Sequence, residues 1–325
     1  MRKKIPIITD PEHISRFKAL LVKEPSLDIF QSLTQNQYSK NSLLAIRTDW
    51  LRYLSFCQTA HITVLPASII GVRRFLETEA KQRKFASIKR YSVTIGLMHT
   101  LLSLPNPVAH RQIKQVLISL RFEKNGDAKQ AIPLTTSHLK SLQEIMTTTN
   151  ELADIRDLAI YYVMFECALK RSELKMLTIN DVYSASNQGV QIQVGHNKYR
   201  LSTEATACLN VWLGIYMNLS KEGLCPLFCS IDRHQNLSHQ PLDDSSIYRI
   251  LRRASDRLNL SDSFRFSGQS TRVGAVQELK NQGLKIKEIQ EFGRWLSPAM
   301  PAQYMGNTDT AEKEKIKFIR IKNWE

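Results

Sequence analysis

Apolar residues recur at helical spacing through most of this sequence, and that repeat limits the fold more than any other feature. Between residues 42 and 59, one helical face gathers large apolar side chains, namely Leu43, Ile46, Trp50, Tyr53 and Leu54. Similar amphipathic stretches follow at 66–84, 87–104 and 109–124, and Pro105 and Pro107 separate the last two. These stretches predict a compact bundle of four or five helices.

The remainder of the chain also shows helical spacing, apart from one segment. Helices are expected at 134–146, 151–169, 203–219, 243–258, 270–282 and 285–292. Residues 189–203 instead alternate between apolar and polar around Gly195–Asn197, which indicates a short β-hairpin or meander. The predicted fold class is therefore mainly α with a small β-sheet.

Breaks in the periodicity divide the chain into an arm, two domains, a linker and a tail. The first 35 residues contain Pro6, Pro11 and Pro25 among short helical stretches, so we expect a loosely held arm. Turn residues and a loss of periodicity around Gly126 indicate a linker. The expected segments are an arm at 1–35, a helical domain at 36–124, a linker at 125–133, a second domain at 134–304 and a tail at 305–325.

Charge is distributed unevenly between the two parts of the chain, which has a formal net charge of +15. Residues 1–130 contain 21 basic and 9 acidic residues, whereas residues 131–325 contain 24 and 21. A surplus so concentrated predicts that the first part lies along a polyanion, most simply double-stranded DNA. A generically basic domain is the alternative interpretation.

The rest of the composition argues against several classes of protein. No apolar run approaches the roughly 20 residues that span a bilayer, and the basic start lacks the apolar segment of a secretory signal. The five cysteines are expected to be reduced, which favours a cytoplasmic protein without a membrane partner. Cys225 and Cys229 lack a second ligand pair at zinc spacing, so we expect no metal. No phosphate-binding glycine loop is present, and no cofactor is implied.

Arg272 stands in an unfavourable position, in the first turn of a helix expected to begin at Ser270. The helix dipole already places partial positive charge there, so an arginine is disfavoured unless an anion binds beside it. A guanidinium next to a helix amino terminus is well suited to hold a phosphate. Arg272 is therefore the first candidate for a phosphate-binding residue.

Other residues supply the groups that attack on a phosphodiester requires when no metal takes part. Trp295 precedes Tyr304 by nine residues, Lys198 lies in the expected β-turn region, and the helix around 170–173 adds two cations and a carboxylate. A phenol can act as the nucleophile, donors can stabilise the phosphorane, and a lysine can protonate the leaving oxygen. Taken singly, Tyr304 and Trp295 also fit packed side chains, and Lys198 fits a solvated one.

The order of these segments resembles the tyrosine site-specific recombinases, the phage integrase family, over nearly the whole chain. Residues 267–275, SGQSTRVGA, fall where that family has its His-x-x-Arg box. Residues 293–307, GRWLSPAMPAQYMGN, fall where it has a tryptophan followed by the nucleophilic tyrosine. Residues 196–205, HNKYRLSTEA, resemble the β-hairpin segment that contains its catalytic lysine.

The resemblance implies a core-binding helical bundle and an α+β catalytic domain that close on DNA as a C-shaped clamp. Arg272 would be the second catalytic arginine, Trp295 the indole donor and Tyr304 the nucleophile. Lys198 would be the catalytic lysine, and Glu173 the acidic residue that supports the site. The residues expected to contact DNA are Lys40, Arg47, Arg83, Lys84, Lys89, Arg90 and Arg171.

Two positions depart from the family's pattern. Lys170 stands where the first catalytic arginine is expected, and Gln269 stands where the histidine is expected. Lysine keeps the charge but loses the planar fork, and glutamine donates a hydrogen bond but exchanges no proton near neutral pH. Loss of a catalytic acid–base group costs roughly 10²- to 10⁴-fold in rate. Arg171 or His196 could substitute for the missing groups.

Three functions are consistent with these residues. The first is a recombinase that forms a 3′-phosphotyrosyl link, assembles as a tetramer on its DNA site, and works alone or with a partner recombinase. Its apolar tail at 305–325 would dock on a neighbouring subunit or pack on its own domain. The second is a recombinase-fold accessory protein that binds DNA with weak or no cleavage. The third is a helix-turn-helix regulator built on residues 275–293.

Overall fold

The computed structural model describes residues 5–126, 130–149, 151–185, 189–219 and 226–321. They belong to two compact units, 1–129 and 130–325. Helices predominate in both units and the strands form small antiparallel sheets, so the predicted fold class, mainly α with a small sheet, is confirmed. Among the described residues, no helix is long and apolar enough to cross a bilayer.

The first unit is a bundle of six α-helices within its described residues. They are α1 (Pro11–Leu21), α2 (Leu27–Leu33), α3 (Lys40–Thr59), α4 (Ile69–Ala80), α5 (Phe85–Leu101) and α6 (Arg111–Glu123). Serine side chains cap two of them, because Ser39 accepts from the backbone N–H of Ser42 and Ser68 accepts from that of Gly71. The predicted apolar face of α3 is buried in the core of the bundle.

The expectation of a loosely held arm at 1–35 is wrong for the helices within it. Leu21, Phe30 and Leu33 are fully buried in the bundle core. The indole N–H of Trp50 donates to the Leu21 carbonyl at 2.9 Å, which fixes the end of α1 on α3. The prediction took the prolines as helix breakers, but Pro11 is the first residue of α1 and follows the capping residue Asp10.

The second unit combines nine described α-helices with five strands. The helices are α7 (Thr136–Met146), α8 (Leu152–Glu166), α9 (Arg171–Met176), α10 (Thr203–Leu219), α11 (Asp244–Arg257), α12 (Ser270–Asn281), α13 (Ile286–Phe292), α14 (Ala299–Tyr304) and α15 (Thr308–Ile321). The strands are β1 (Val182–Ala185), β2 (Gly189–Val194), β3 (Asn197–Arg200), β4 (Cys229–Ile231) and β5 (Leu237–Pro241). Helix α8 is buried along most of its length at the centre of the core.

Strands β1, β2 and β3 form an antiparallel meander around the predicted turn at Gly195. Val190, Ile192 and Val194 point from one face of β2 into the core, as the alternating sequence predicts. A second hairpin, β4–β5, was not predicted from the sequence. Its strands are three and five residues long, too short for alternation to reveal them.

Helix α12 is held tightly at its start, and this fixes the position of Arg272. The backbone N–H of Leu134 donates to the Ser270 carbonyl at 3.0 Å. A Cβ atom on Gly274 would lie 1.7 Å from the Leu134 carbonyl oxygen, so only glycine permits this close approach.

Some predictions concern residues or side chains outside the described part of the chain. They are Cys225, the linker residues 127–129, and the apolar tail side chains of Ile316, Phe318, Ile319, Ile321 and Trp324. The domain boundaries, the clamp and the docking role of the tail stay predictions.

Candidate active site

The side chain of Arg272 is buried at the start of α12, with 2% of its surface exposed. Its Nη1 atom donates to the Ala168 carbonyl at 2.5 Å, and its Nη2 atom donates to the Gly293 carbonyl at 2.9 Å. These carbonyls belong to the segments that follow α8 and α13, so the guanidinium joins three parts of the unit. Burial lowers the pKa of Arg272 to about 10, which still leaves it protonated at neutral pH.

Trp295 lies directly against this guanidinium. The Cζ atom of Arg272 is 4.0 Å from the centroid of the Trp295 ring, within the range of a cation–π interaction. The indole also packs on Gly293, where an added Cβ atom would lie 1.7 Å from the Cζ3 atom of the ring. The glycine at the end of α13 therefore allows the indole to reach Arg272.

Tyr304 is the last residue of α14, and its side chain enters the same pocket. Its ring centroid is 6.0 Å from that of Trp295, in an edge-to-face arrangement. Its hydroxyl donates to the Oε1 atom of Gln269, 3.2 Å away. Burial raises the pKa of Tyr304, and the nearby charge of Arg272 opposes that rise. The phenol is therefore protonated at neutral pH in the protein without DNA.

Lys170 and Glu173 form a reciprocal pair at the start of α9. The Lys170 backbone N–H donates to Glu173 Oε2 at 2.8 Å, and its Nζ atom donates to Oε1 at 3.0 Å. The Oε2 atom is also 4.0 Å from the Nη1 atom of Arg272. Burial alone would raise the pKa of Glu173, but hydrogen bonds from Arg294 and Lys170 outweigh it and lower the pKa to about 2.

Arg294 is a member of the site that sequence reasoning missed. Its Nε and Nη2 atoms bind the two carboxylate oxygens of Glu173, at 3.1 and 2.8 Å. Its Nη1 atom donates to the hydroxyl of Tyr199, and its side chain is 15% exposed. Its position between Gly293, at the end of an expected helix, and Trp295 of the motif was the sequence signal that could have identified it.

Lys198 does not join the other predicted catalytic residues. It is exposed on β3, and its Nζ atom is 4.8 Å from the centroid of the Tyr183 ring. No contact among the described residues connects it to Arg272 or Tyr304. The adjacent Tyr199 links β3 to the site, because its hydroxyl donates to the Phe292 carbonyl at 2.5 Å. An open cleft of about 380 Å³ is lined by Glu166, Asn197, Lys198, Tyr199, Arg200 and Phe292.

The two possible substitutes for the missing groups differ in position. Arg171 is exposed and lies against Gly268, where an added Cβ atom would be 2.8 Å from its Cδ and Nε atoms. Its Nη1 atom donates to the Asp244 carbonyl at 3.3 Å. Arg171 thus contacts the residue that directly precedes Gln269. His196 is exposed in the turn between β2 and β3, beside Lys198 rather than beside Tyr304.

The six basic residues predicted to bind DNA from the first unit fall into two groups. Lys40, Lys84 and Lys89 are exposed, and no ion pair joins them to a carboxylate among the described residues. The arginines have protein partners, since Arg47 donates to the Pro25 carbonyl at 3.0 Å and Arg83 lies 3.8 Å from Glu79. Arg90 binds both carboxylate oxygens of the buried Asp49, each at 2.8 Å.

The site as a whole is a set of donors and cations around one phenol. The structure brings together six of the seven predicted catalytic residues, which are Tyr304, Arg272, Trp295, Gln269, Lys170 and Glu173. Arg272, Arg294 and Lys170 surround the single carboxylate of Glu173, so positive charge is in excess. Within the described ranges, no group of three histidine, cysteine, aspartate or glutamate side chains could hold a metal ion. The arrangement is suited to holding an anion next to a tyrosine.

Comparison with known proteins identifies relatives of the chain. The model of the phage integrase family matches residues 134–311. The recombinase Cre of Escherichia phage P1 is 22% identical in an alignment of length 322, and the alignment covers 92% of each chain. An integrase/recombinase XerD homologue of Selenomonas ruminantium is 24% identical and covers 82% of this chain and 81% of the relative.

Solved structures show the same fold. The XerH site-specific recombinase bound to a palindromic difH substrate has a TM-score of 0.60 at 14% identity, and the match covers 94% of this chain and 88% of that one. A lambda integrase dimer bound to a core site has a TM-score of 0.57 at 12% identity, covering 92% and 78%.

Proposed function

The chain belongs to the phage integrase family, and from that premise we propose that it is a site-specific DNA recombinase that cleaves and rejoins strands through a 3′-phosphotyrosyl intermediate. The names of its relatives support this reaction, because they include recombinases from a phage and from bacteria. Its structural neighbours include a recombinase bound to a difH substrate and an integrase bound to a core site. The basic surplus of residues 1–130 agrees with such a partner.

One observation supports the assignment of the nucleophile more than any other. The Tyr304 side chain lies in the site of its own chain. Its hydroxyl contacts Gln269, and its ring packs edge-on against the indole that lies on Arg272. Tyr304 is 6% exposed and lies beside a buried guanidinium, so it is not an isolated surface side chain. We infer that Tyr304 acts on a phosphate bound at Arg272.

The reaction exchanges one phosphodiester bond for another. The Tyr304 oxygen bonds to the scissile phosphorus, the bond from phosphorus to the 5′ oxygen breaks, and the phenol loses its proton. The departing 5′ oxygen takes up a proton and becomes a free hydroxyl. In the rejoining step a 5′ hydroxyl of the partner duplex loses its proton and bonds to the phosphorus, the bond from phosphorus to the Tyr304 oxygen breaks, and the tyrosine takes up a proton. Arg272 and Lys170 neutralise the non-bridging oxygens, and the indole N–H of Trp295 donates to one of them. Because the phosphotyrosyl bond conserves the energy of the phosphodiester, the cycle needs no nucleotide.

The two departures from the family's pattern set the speed of this reaction. Gln269 can accept from the phenol and donate to the phosphate, but it cannot remove the proton. Lys170 offers a point charge in place of a two-pronged guanidinium. Lys198 reaches the leaving oxygen only if the β2–β3 hairpin moves towards the pocket when DNA binds. We therefore propose slow cleavage by the protein alone.

The same departures favour a second candidate, a recombinase-fold DNA-binding accessory protein that leaves cleavage to a partner recombinase. Binding would survive in that case, because Lys170 and Gln269 retain groups that contact phosphates. Assembly into a tetramer on DNA, with the tail at 305–325 docked on a neighbour, belongs to both candidates.

Formation of a covalent adduct distinguishes the two candidates. Duplexes that the protein selects from a random-sequence pool are nicked at successive positions, so that a cleaved fragment diffuses away and the adduct is trapped. A recombinase gives a denaturation-resistant adduct that Tyr304→Phe abolishes and that the control Tyr248→Phe, on the exposed face of α11, retains. Tight binding without an adduct in any duplex would support the accessory protein.

A further inference from the structure

Arg294 adopts a backbone conformation that a side chain normally opposes. It follows Gly293, the residue that ends α13, and its φ is +56°. Left-handed residues after helices are usually glycine, because a Cβ atom is disfavoured there. This unit uses glycine in that conformation soon after two neighbouring helices, with Gly283 after α12 and Gly306 after α14. Ala168 after α8 and Asn259 after α11 also adopt it, so the turn tolerates a side chain and an explanation for an arginine at 294 has to come from its contacts.

The contacts of the side chain supply that explanation. All five donors of the guanidinium are engaged. The Nε and Nη2 atoms bind Glu173, and Nη2 also approaches the Ala168 carbonyl at 3.2 Å. The Nη1 atom binds the Tyr199 hydroxyl and the Phe292 carbonyl, the latter at 3.2 Å. The guanidinium also lies over the Tyr199 ring, 5.0 Å from its centroid. With all its donors directed at protein atoms, Arg294 has none free for a phosphate, and its effect must pass through Glu173.

Glu173 is shared between three cations. Its Oε1 atom accepts from Lys170 Nζ at 3.0 Å, and its Oε2 atom lies 4.0 Å from Arg272. A carboxylate without Arg294 would direct its full charge at Lys170 and Arg272, the two cations proposed to hold the scissile phosphate. A fork-to-fork pair with Arg294 neutralises the carboxylate and fixes its orientation.

We propose that Arg294 is a positioning residue that neutralises Glu173 and so leaves the charges of Lys170 and Arg272 available to the scissile phosphate. The proposal rests on the proposed function and goes beyond it, because it assigns a task to a residue outside the predicted catalytic set. Removal of Arg294 should therefore slow adduct formation mainly because it leaves the Glu173 carboxylate without its partner.

Arg294→Gly tests this expectation without straining the backbone, because glycine readily adopts the observed φ. At saturating nicked duplex, we expect the rate of adduct formation to fall at least tenfold, which exceeds the severalfold rise expected in the dissociation constant for DNA. Adding Glu173→Gln to Arg294→Gly removes the unpaired charge, and the double variant should recover several-fold over Arg294→Gly. Arg233→Gly, which removes the same charge from the exposed β4–β5 turn, should match the native protein. An unchanged rate in Arg294→Gly, or a double variant no faster than Arg294→Gly, would overturn the proposal.

A binding measurement keeps this proposal separate from the proposed function. In a series of selected duplexes, a neutral methylphosphonate replaces one phosphate at a time. The position with the largest loss of affinity identifies the phosphate that the site holds. In Arg294→Gly that loss should shrink severalfold, and Glu173→Gln should restore it, whether or not any adduct forms. Equal losses in the native protein and in Arg294→Gly would refute the role of Arg294, whereas a missing adduct alone would refute only the proposed function.

Discussion

The hydroxyl of Tyr304 donates a hydrogen bond to the Oε1 atom of Gln269, 3.2 Å away, in the site that contains Arg272. The contact joins the carboxyl end of α14 to the start of α12 within one chain. It orients the phenol but cannot activate it, because an amide oxygen does not take up a proton near neutral pH.

Restoring the family's residues should accelerate cleavage. Gln269→His supplies a base within reach of the phenol, and Lys170→Arg supplies a two-pronged donor for the phosphate. We expect the double variant to form adduct roughly 10²-fold faster than the native protein in single-turnover assays. Gln240→His, on exposed β5, is the matched control and should leave the rate unchanged. Equal rates in the double variant and the native protein would show that these positions do not limit cleavage.

Cleavage by the native protein should become faster as pH rises. Burial raises the pKa of Tyr304 above its ordinary value of 10, so the phenolate fraction grows about tenfold per pH unit through the neutral range. The rate of adduct formation between pH 7 and 9 should follow that slope. Gln269→His should flatten the profile above the pKa of the new histidine. A flat profile in the native protein would mean that another group removes the proton.

Ionisation of Glu173 should stabilise the second unit in a defined range of pH. Its pKa is lowered from 4.5 to about 2, so its contribution is complete above about pH 5 and is lost as pH falls towards 2. Denaturant unfolding should show the native protein more stable than Glu173→Gln at neutral pH, with a gap that narrows between pH 5 and 3 and closes as pH falls towards 2. Asp262→Asn, whose side chain is 95% exposed, controls for the loss of one negative charge. A gap that stays constant down to pH 3 would contradict the pairing.

The basic residues of the first unit should separate into binding and structural groups. Lys84→Ala and Lys89→Ala should each weaken DNA binding and reduce the slope of log affinity against log salt by about 1, with no change in thermal stability. Arg90→Ala leaves the carboxylate of Asp49, which is 1% exposed, without its bidentate partner. That variant should lose about 1–3 kcal/mol of stability, measured by denaturant unfolding. Identical effects of all three substitutions on stability would reject the distinction.

Periodicity in the sequence predicted most of the helices and the meander, because those features depend on local spacing, but it did not predict α14 or α15. The resemblance to the family, rather than periodicity, implied that Trp295 and Tyr304 share one site. The packing of α1 and α2 into the core escaped prediction because prolines mark helix starts as well as loops. Arg294 escaped because its partner, Glu173, is distant in the sequence and the pair forms only in the folded chain. The exposure of Lys198 away from the pocket likewise depends on tertiary structure.

The attachment site of the DNA tests the central claim most directly. The trapped adduct is digested with nuclease and trypsin, and mass spectrometry identifies the peptide that retains a nucleotide. Cleavage after Arg294 and Lys313 yields a peptide, 295–313, in which Tyr304 is the one tyrosine. We expect the nucleotide on Tyr304 of this peptide. A nucleotide on any other residue, or an adduct that persists in Tyr304→Phe, would contradict the account.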